Sequence, residues 1–114
     1  MSNYQYGCLK QVLNGEFIKY DSHGKVLVRV QMTNGLFDGI YERFDIDGKL
    51  YQHLEFKNGK LDGKVEQYNS DGTLEYTGQY ANGLQSGIFR IYGYKGKIDS
   101  EVVLENGQLV QIDK

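Results

Sequence analysis

The sequence predicts an all-β fold: an antiparallel array of β-hairpin repeats forming one strongly twisted or curled meander sheet. Three observations predict it. Glycine recurs every 24 residues in three columns, Gly15/Gly39/Gly63/Gly87, Gly24/Gly48/Gly72/Gly96 and Gly35/Gly59/Gly83/Gly107. Asparagine precedes every glycine of the third column, at Asn34, Asn58, Asn82 and Asn106. Between the turns, Val26, Val28, Val30 and Met32 share one parity and Arg29 and Gln31 the other. Period two with one apolar side marks a half-buried strand, and no segment sustains a helical period.

The units are 15–38, 39–62, 63–86 and 87–110, with no linker or composition shift between them. Residues 1–14 read as an N-terminal capping half-unit and 111–114 as a tail, so 1–114 is one repeat domain. Roughly a dozen residues per strand plus turn gives about ten strands.

Each unit carries two turns. Asn34-Gly35 is a two-residue hairpin signal, because a type I′ turn needs positive φ at both central positions. Asp45-Ile46-Asp47-Gly48 reads as a type I turn closed by a left-handed glycine. Positive φ is therefore expected at Gly24, Gly48, Gly72, Gly96, Gly35, Gly59, Gly83 and Gly107. A simple two-residue turn at 34–35 would place Met32 opposite Phe37, Val30 opposite Gly39 and Val28 opposite Tyr41. By the same count Leu54 would oppose Gly63. Gly78 would face Gly87 and make a soft or bent spot.

Two further columns are apolar or aromatic: Phe17/Tyr41/Val65/Phe89 and Tyr20/Phe44/Tyr68/Tyr92. Tyr41 and Phe44 differ by three, so either a bulge intervenes or the sheet carries aromatics on both sides. Phe17, Tyr41, Phe89, Tyr20, Phe44, Tyr68 and Tyr92 are the candidate interaction residues. Rigid Tyr-rich surfaces suit partner binding, while a one-sided sheet must also bury its apolar face on something. The apolar face is expected to hold Val26, Val30, Met32, Leu50, Leu54 and Phe56 with Phe17 and Tyr41. Whichever aromatic column the curl leaves exposed is the expected binding surface. The strands at Tyr4–Cys8 and Leu109–Ile112 are the expected open edges, so a monomer or an edge-strand dimer is expected.

Composition narrows the function classes. Lys and Arg number 13 against 15 Asp and Glu, a net charge of -2, with no basic stripe for nucleic acid and little attraction to anionic membranes. The N-terminus lacks a basic segment followed by an apolar one, so no signal peptide is expected. A single cysteine, Cys8, excludes an internal disulfide framework and favours the cytoplasm. Cys8 is expected to be a buried structural thiol. His23 and His53 follow no ligand spacing. Asp45-x-Asp47-Gly48 lacks the distal glutamate of a calcium loop. No metal, cofactor or catalytic group is expected, and the chain reads as a non-enzyme.

The motifs Gly48-Lys49-Leu50 and Asn58-Gly59-Lys60-Leu61-Asp62-Gly63 resemble the bacterial variant of the MORN (membrane occupation and recognition nexus) repeat, the kind carried by YwqK-type antitoxins. The resemblance covers about 15–110. It implies a hairpin array and a binding module: a protein partner, with a toxin neutralised by an antitoxin or immunity-type protein as the sharper form. The alternative it implies is a structural or membrane-peripheral scaffold. The sequence departs from the eukaryotic pattern in having no Trp, and Arg43 stands where that pattern has glycine.

Overall fold

The computed structural model describes residues 13–113, and ten antiparallel strands of one sheet account for most of them. They are β1 (Gly15–Tyr20), β2 (Val26–Thr33), β3 (Leu36–Phe44), β4 (Leu50–Lys57), β5 (Lys60–Tyr68), β6 (Leu74–Ala81), β7 (Leu84–Gln85), β8 (Gly87–Tyr92), β9 (Ile98–Glu105) and β10 (Gln108–Asp113). The order is sequential, with the short β7 set on the end of β6. The sheet is open. Its extents of 55 × 35 × 20 Å leave a third dimension far thicker than the pleat of a flat layer, so the sheet is strongly twisted. The Tyr4–Cys8 segment, Cys8 itself and most of the capping half-unit lie outside the described residues.

The turns follow from local chemistry. Asn34, Asn58, Asn82 and Asn106 have φ of 51–52°, and the glycines after them 80–85°, the type I′ pattern. The second-column glycines have φ of 75–92°. The Asp45 carboxylate accepts from the N–H groups of Asp47 at 2.9 Å and Lys49 at 3.0 Å, which locks that turn. Asp21 does the same for His23 and Lys25. In the last unit Gly93 replaces the carboxylate, and the turn tightens into a 3₁₀ segment (Tyr94–Gly96) with Lys95 at φ 59°.

The register corrects the simple hairpin count. Met32 does lie opposite Phe37, but Val30 faces Tyr41 and Val28 faces Arg43. Asp38, Gly39 and Ile40 together oppose Gln31, so each long strand bulges by two residues after its Asn-Gly turn. Leu54 accordingly faces Val65, not Gly63. Gly39 and Gly63, at φ 114° and 121°, are bulge residues lying under the side chains of Gln31 and Glu55. Those side chains complete the bulge: Gln31 Oε1 accepts from the Ile40 N–H at 3.2 Å and Glu55 Oε1 from the Lys64 N–H at 3.0 Å. At β10, Gln111 stands where the glycine would be, and the bulge shrinks to one residue, with Ile112 opposite Val102.

A second bulge falls on each return strand, where Tyr20 pairs Val26, Phe44 pairs Leu50, Tyr68 pairs Leu74 and Tyr92 pairs Ile98. The long strand itself runs unbroken, so Tyr41 and Phe44 fall on opposite faces. Val26 and Leu50 consequently leave the apolar face, contrary to strict alternation, and join the Tyr20/Phe44 row.

The core is the central row of one face: Phe17, Val30, Tyr41, Leu54, Val65, Gly78, Phe89 and Val102. Val65 at 2 % exposure and Val30 at 7 % are its most buried side chains. Phe37 and Phe56 pack on it edge to face at 5.2 Å, with Tyr41 5.7 Å from Phe37. Gly78 is buried beneath the Phe89 ring, so it is a packing contact and not the soft spot opposite Gly87.

Neighbouring units are also stitched end to end. The Gly35, Gly59, Gly83 and Gly107 N–H groups donate to the carbonyls of Leu13, Phe37, Leu61 and Gln85 in the preceding unit. Asn14 and Asp38 side chains accept from the Asn34 and Asn58 N–H groups at 2.9 and 3.1 Å. Leu13 and Asn14 thus serve the first turn as Phe37 and Asp38 serve the second.

Candidate interaction surface

The face opposite the core carries two rows that cross the strands. The first is polar. Cross-strand pairing sets Arg29 beside Glu42, Glu42 beside His53, His53 beside Glu66, Glu66 beside Thr77, Thr77 beside Arg90 and Arg90 beside Glu101. Arg29 lies 3.6 Å from Glu16 and 3.8 Å from Glu42. His53 Nε2 is 3.1 Å from Glu55. Arg90 pairs with Glu101, which raises its pKa further. Burial pushes the Glu55 carboxyl up, but the Lys64 N–H and His53 outweigh it and hold it below the ordinary range. Such half-exposed pairs are each worth little in stability, but they fix side-chain directions across the face.

The second row is the Tyr20/Phe44/Tyr68/Tyr92 column, alternating with Val26, Leu50, Leu74 and Ile98. Its side is fixed by contacts with the polar row. The Arg29 guanidinium lies over the Phe44 ring at 5.8 Å. The Tyr68 hydroxyl donates to Glu66 at 3.0 Å, and the Tyr92 hydroxyl is 3.4 Å from Thr77. Burial and then Glu66 raise the Tyr68 pKa, so it stays a donor at neutral pH. Tyr20 is 55 % exposed. Two hollows open along the rows. One, of about 410 Å³, is lined by Val26, Arg29, Phe44 and Asp47, with Lys25 and Gly48. The other, of about 550 Å³, is lined by Glu66, Leu74, Thr77, Arg90 and Tyr92 among others; the small Thr77 leaves the gap in a row of long side chains.

The candidate residues therefore separate. Phe17, Tyr41 and Phe89 lie in the core row, and Tyr20, Phe44, Tyr68 and Tyr92 on the opposite face. His23 sits in the β1–β2 turn and His53 in the middle of β4, so the structure does not bring them together. Among the described residues no group of three or more His, Cys, Asp or Glu could hold a metal. No helix of the described residues is long and apolar enough to cross a membrane. The polar row was not visible in the sequence, because both bulges must be placed before Arg29, Glu42 and His53 line up.

Residues 37–58 and 61–82 match the MORN repeat variant family. Both matched stretches run through a long strand, its turn and the return strand. The matched repeats support a repeat-based binding or scaffold module as the class. No curated protein matches the chain. Among solved structures it is similar to TarM, with a TM-score of 0.51 and 18 % identity over 90 % of this chain and 20 % of that one. It is also similar to a mutant of S. aureus TarM in complex with fondaparinux, alpha-GlcNAc-glycerol and UDP, with a TM-score of 0.52 and 18 % identity over 86 % of this chain and 20 % of that one. The chain thus spans about one fifth of the length of these proteins, and at that identity the likeness is one of fold.

Proposed function

We propose that the chain is a non-enzymatic protein-interaction module whose binding surface is the Tyr20/Phe44/Tyr68/Tyr92 face. The observation that carries this reading is the division of the aromatics between faces. The core row needs its residues for packing, whereas the opposite row leaves Tyr20 55 % exposed and Phe44, Tyr68 and Tyr92 half-buried, with no second layer over them among the described residues. Aromatic side chains fixed beside a polar rim are the composition of protein-binding patches. A repeat array adds rigidity, since each unit is positioned by its neighbours. The narrower form, an antitoxin or immunity-type protein that neutralises a toxin in the cytoplasm, has the resemblance in the repeat behind it.

Affinity capture from the native host tests the reading, using the wild type and a Tyr20→Ser/Phe44→Ser/Tyr68→Ser variant with unchanged circular dichroism. One defined protein recovered only by the wild type is expected. Equal recovery by the variant, or salt-sensitive flotation of the wild type with anionic vesicles, would overturn it. Growth rescue in cells expressing the captured protein tests the antitoxin form.

A further inference from the structure

The two edges of the sheet differ in chemistry. β1 carries charge at Glu16 and Lys19, and there the core row ends on the half-buried Phe17. β10 has neither a charged residue nor a proline from Gln108 to Ile112, and every side chain in that span is exposed. Among the described residues no strand pairs with its outer edge. Sheet edges are ordinarily blunted by charge, by proline or by a strong bulge.

The lost glycine makes this edge apolar. In the inner units the bulges at Gly39, Gly63 and Gly87 bring Tyr41, Val65 and Phe89 into the core row. Asp113 holds the equivalent place in the repeat. A full bulge would therefore set Asp113 opposite Val102, and an acid at the end of the core row would close it to further strands. With Gln111 in place of the glycine, the bulge is one residue long and Ile112 takes that position instead. Ile112 is 61 % exposed, and Leu109, opposite Leu104 on the same face, is 54 % exposed. The core row thus runs on to an uncovered apolar end.

The short bulge also selects what can continue the row. It falls at Val110 and Gln111, so Leu109 and Ile112 share a face although they are three residues apart. A strand without a bulge would set one residue against these two, as β9 already does with Val103. A second β10 would not. Placed antiparallel about a two-fold axis between Val110 and Gln111, the two bulges lie opposite each other and neither strand has a surplus residue. Leu109 of each copy then meets Ile112 of the other on the core face, and Val110 meets Gln111. In this register apolar residues face apolar residues, and the two core rows become one.

We propose that β10 is a self-association edge, where two copies of this chain pair β10 to β10 antiparallel across a two-fold axis. The contact is isologous, so it closes at the dimer. It is separate from the ring row, which stays free on the other face. A strand of six residues makes an interface below the about 1,200 Å² of stable complexes, so the dimer forms reversibly with concentration.

Sedimentation velocity of the full chain from micromolar to near-millimolar concentration tests this, together with amide hydrogen exchange. Monomer should pass to dimer and no further, and amides of β10 should gain protection with concentration while those of β1 do not. Ile112→Lys sets an ammonium group against Leu109 of the other copy twice per dimer. It should weaken the dimer about tenfold or more with unchanged circular dichroism. Lys19→Glu, on the other edge, should leave dimerisation unchanged. A monomer at every concentration, species larger than a dimer, equal protection of β1, or a dimer indifferent to Ile112→Lys would overturn the proposal.

Discussion

Gly78 gives the sharpest test of the packing. In the column Val30, Leu54, Gly78 and Val102 it is the one position without a side chain, and the Phe89 ring fills the space. A Cβ added there would stand 2.8 Å from Phe89 Cζ and closer still to Cε2 and Cδ2. The Gly78 φ is not in the left-handed region, so backbone strain does not enter. Alanine in place of a strand glycine gains about 0.5–1 kcal/mol of backbone entropy. Overpacking a filled core costs about 1–3 kcal/mol, and a ring held between β6 and β9 can yield only by leaving its place. The overlap puts the cost at the upper end, so Gly78→Ala is expected to destabilise by about 1–2 kcal/mol net. That lowers Tm by several degrees. The decisive assay is a double-mutant cycle by urea denaturation. In a Phe89→Ala background, Gly78→Ala should be neutral or stabilising, a coupling of about 1–2 kcal/mol. Additivity within about 0.5 kcal/mol would refute the assignment of Phe89 to this space.

Gly59→Val places a β-branched residue at φ 83°, with Leu36 Cδ2 3.3 Å from the new Cβ, and should cost about 1–2 kcal/mol or more by thermal denaturation. Asp38→Ala removes the acceptor for the Asn58 N–H and should cost about 0.5–1 kcal/mol and speed exchange of that amide. Glu55→Gln keeps an acceptor for Lys64 but removes the charge. The folded pKa of Glu55 lies below its ordinary 4.5, so its contribution is full above that value and lost as pH falls through the folded pKa. Wild type and variant should therefore differ at neutral pH and converge in acid; a difference that grows in acid would reverse the sign.

The repeat made most of the fold legible. Both turn types and the meander followed from glycine and asparagine columns, because positive φ leaves a compositional mark. Register did not, because a bulge leaves no mark of its own. Gly39 gives no sign that it bulges with Asp38 and Ile40, and Leu27 or Tyr51 give no sign of being skipped. The error propagated to Val26 and Leu50, which two-residue alternation sends to the wrong face. Gly93 shows the opposite lesson: losing the carboxylate of Asp21 or Asp45 was readable, but the altered turn at Lys95 was not. The two aromatic columns were both visible. Only the unbroken run of β3 between Tyr41 and Phe44 decides that they divide between faces.

That division is the central claim, and an alanine scan of both columns read by urea denaturation tests it most directly. Val65→Ala and Phe89→Ala should each cost about 2–4 kcal/mol, as buried truncations do. Tyr20→Ala should cost well under about 1 kcal/mol, and Phe44→Ala and Tyr68→Ala less than either core change. A scan in which the Tyr20/Phe44/Tyr68/Tyr92 column costs as much as Val65 and Phe89 would contradict the account, because those rings would then be holding the sheet together and not awaiting a partner.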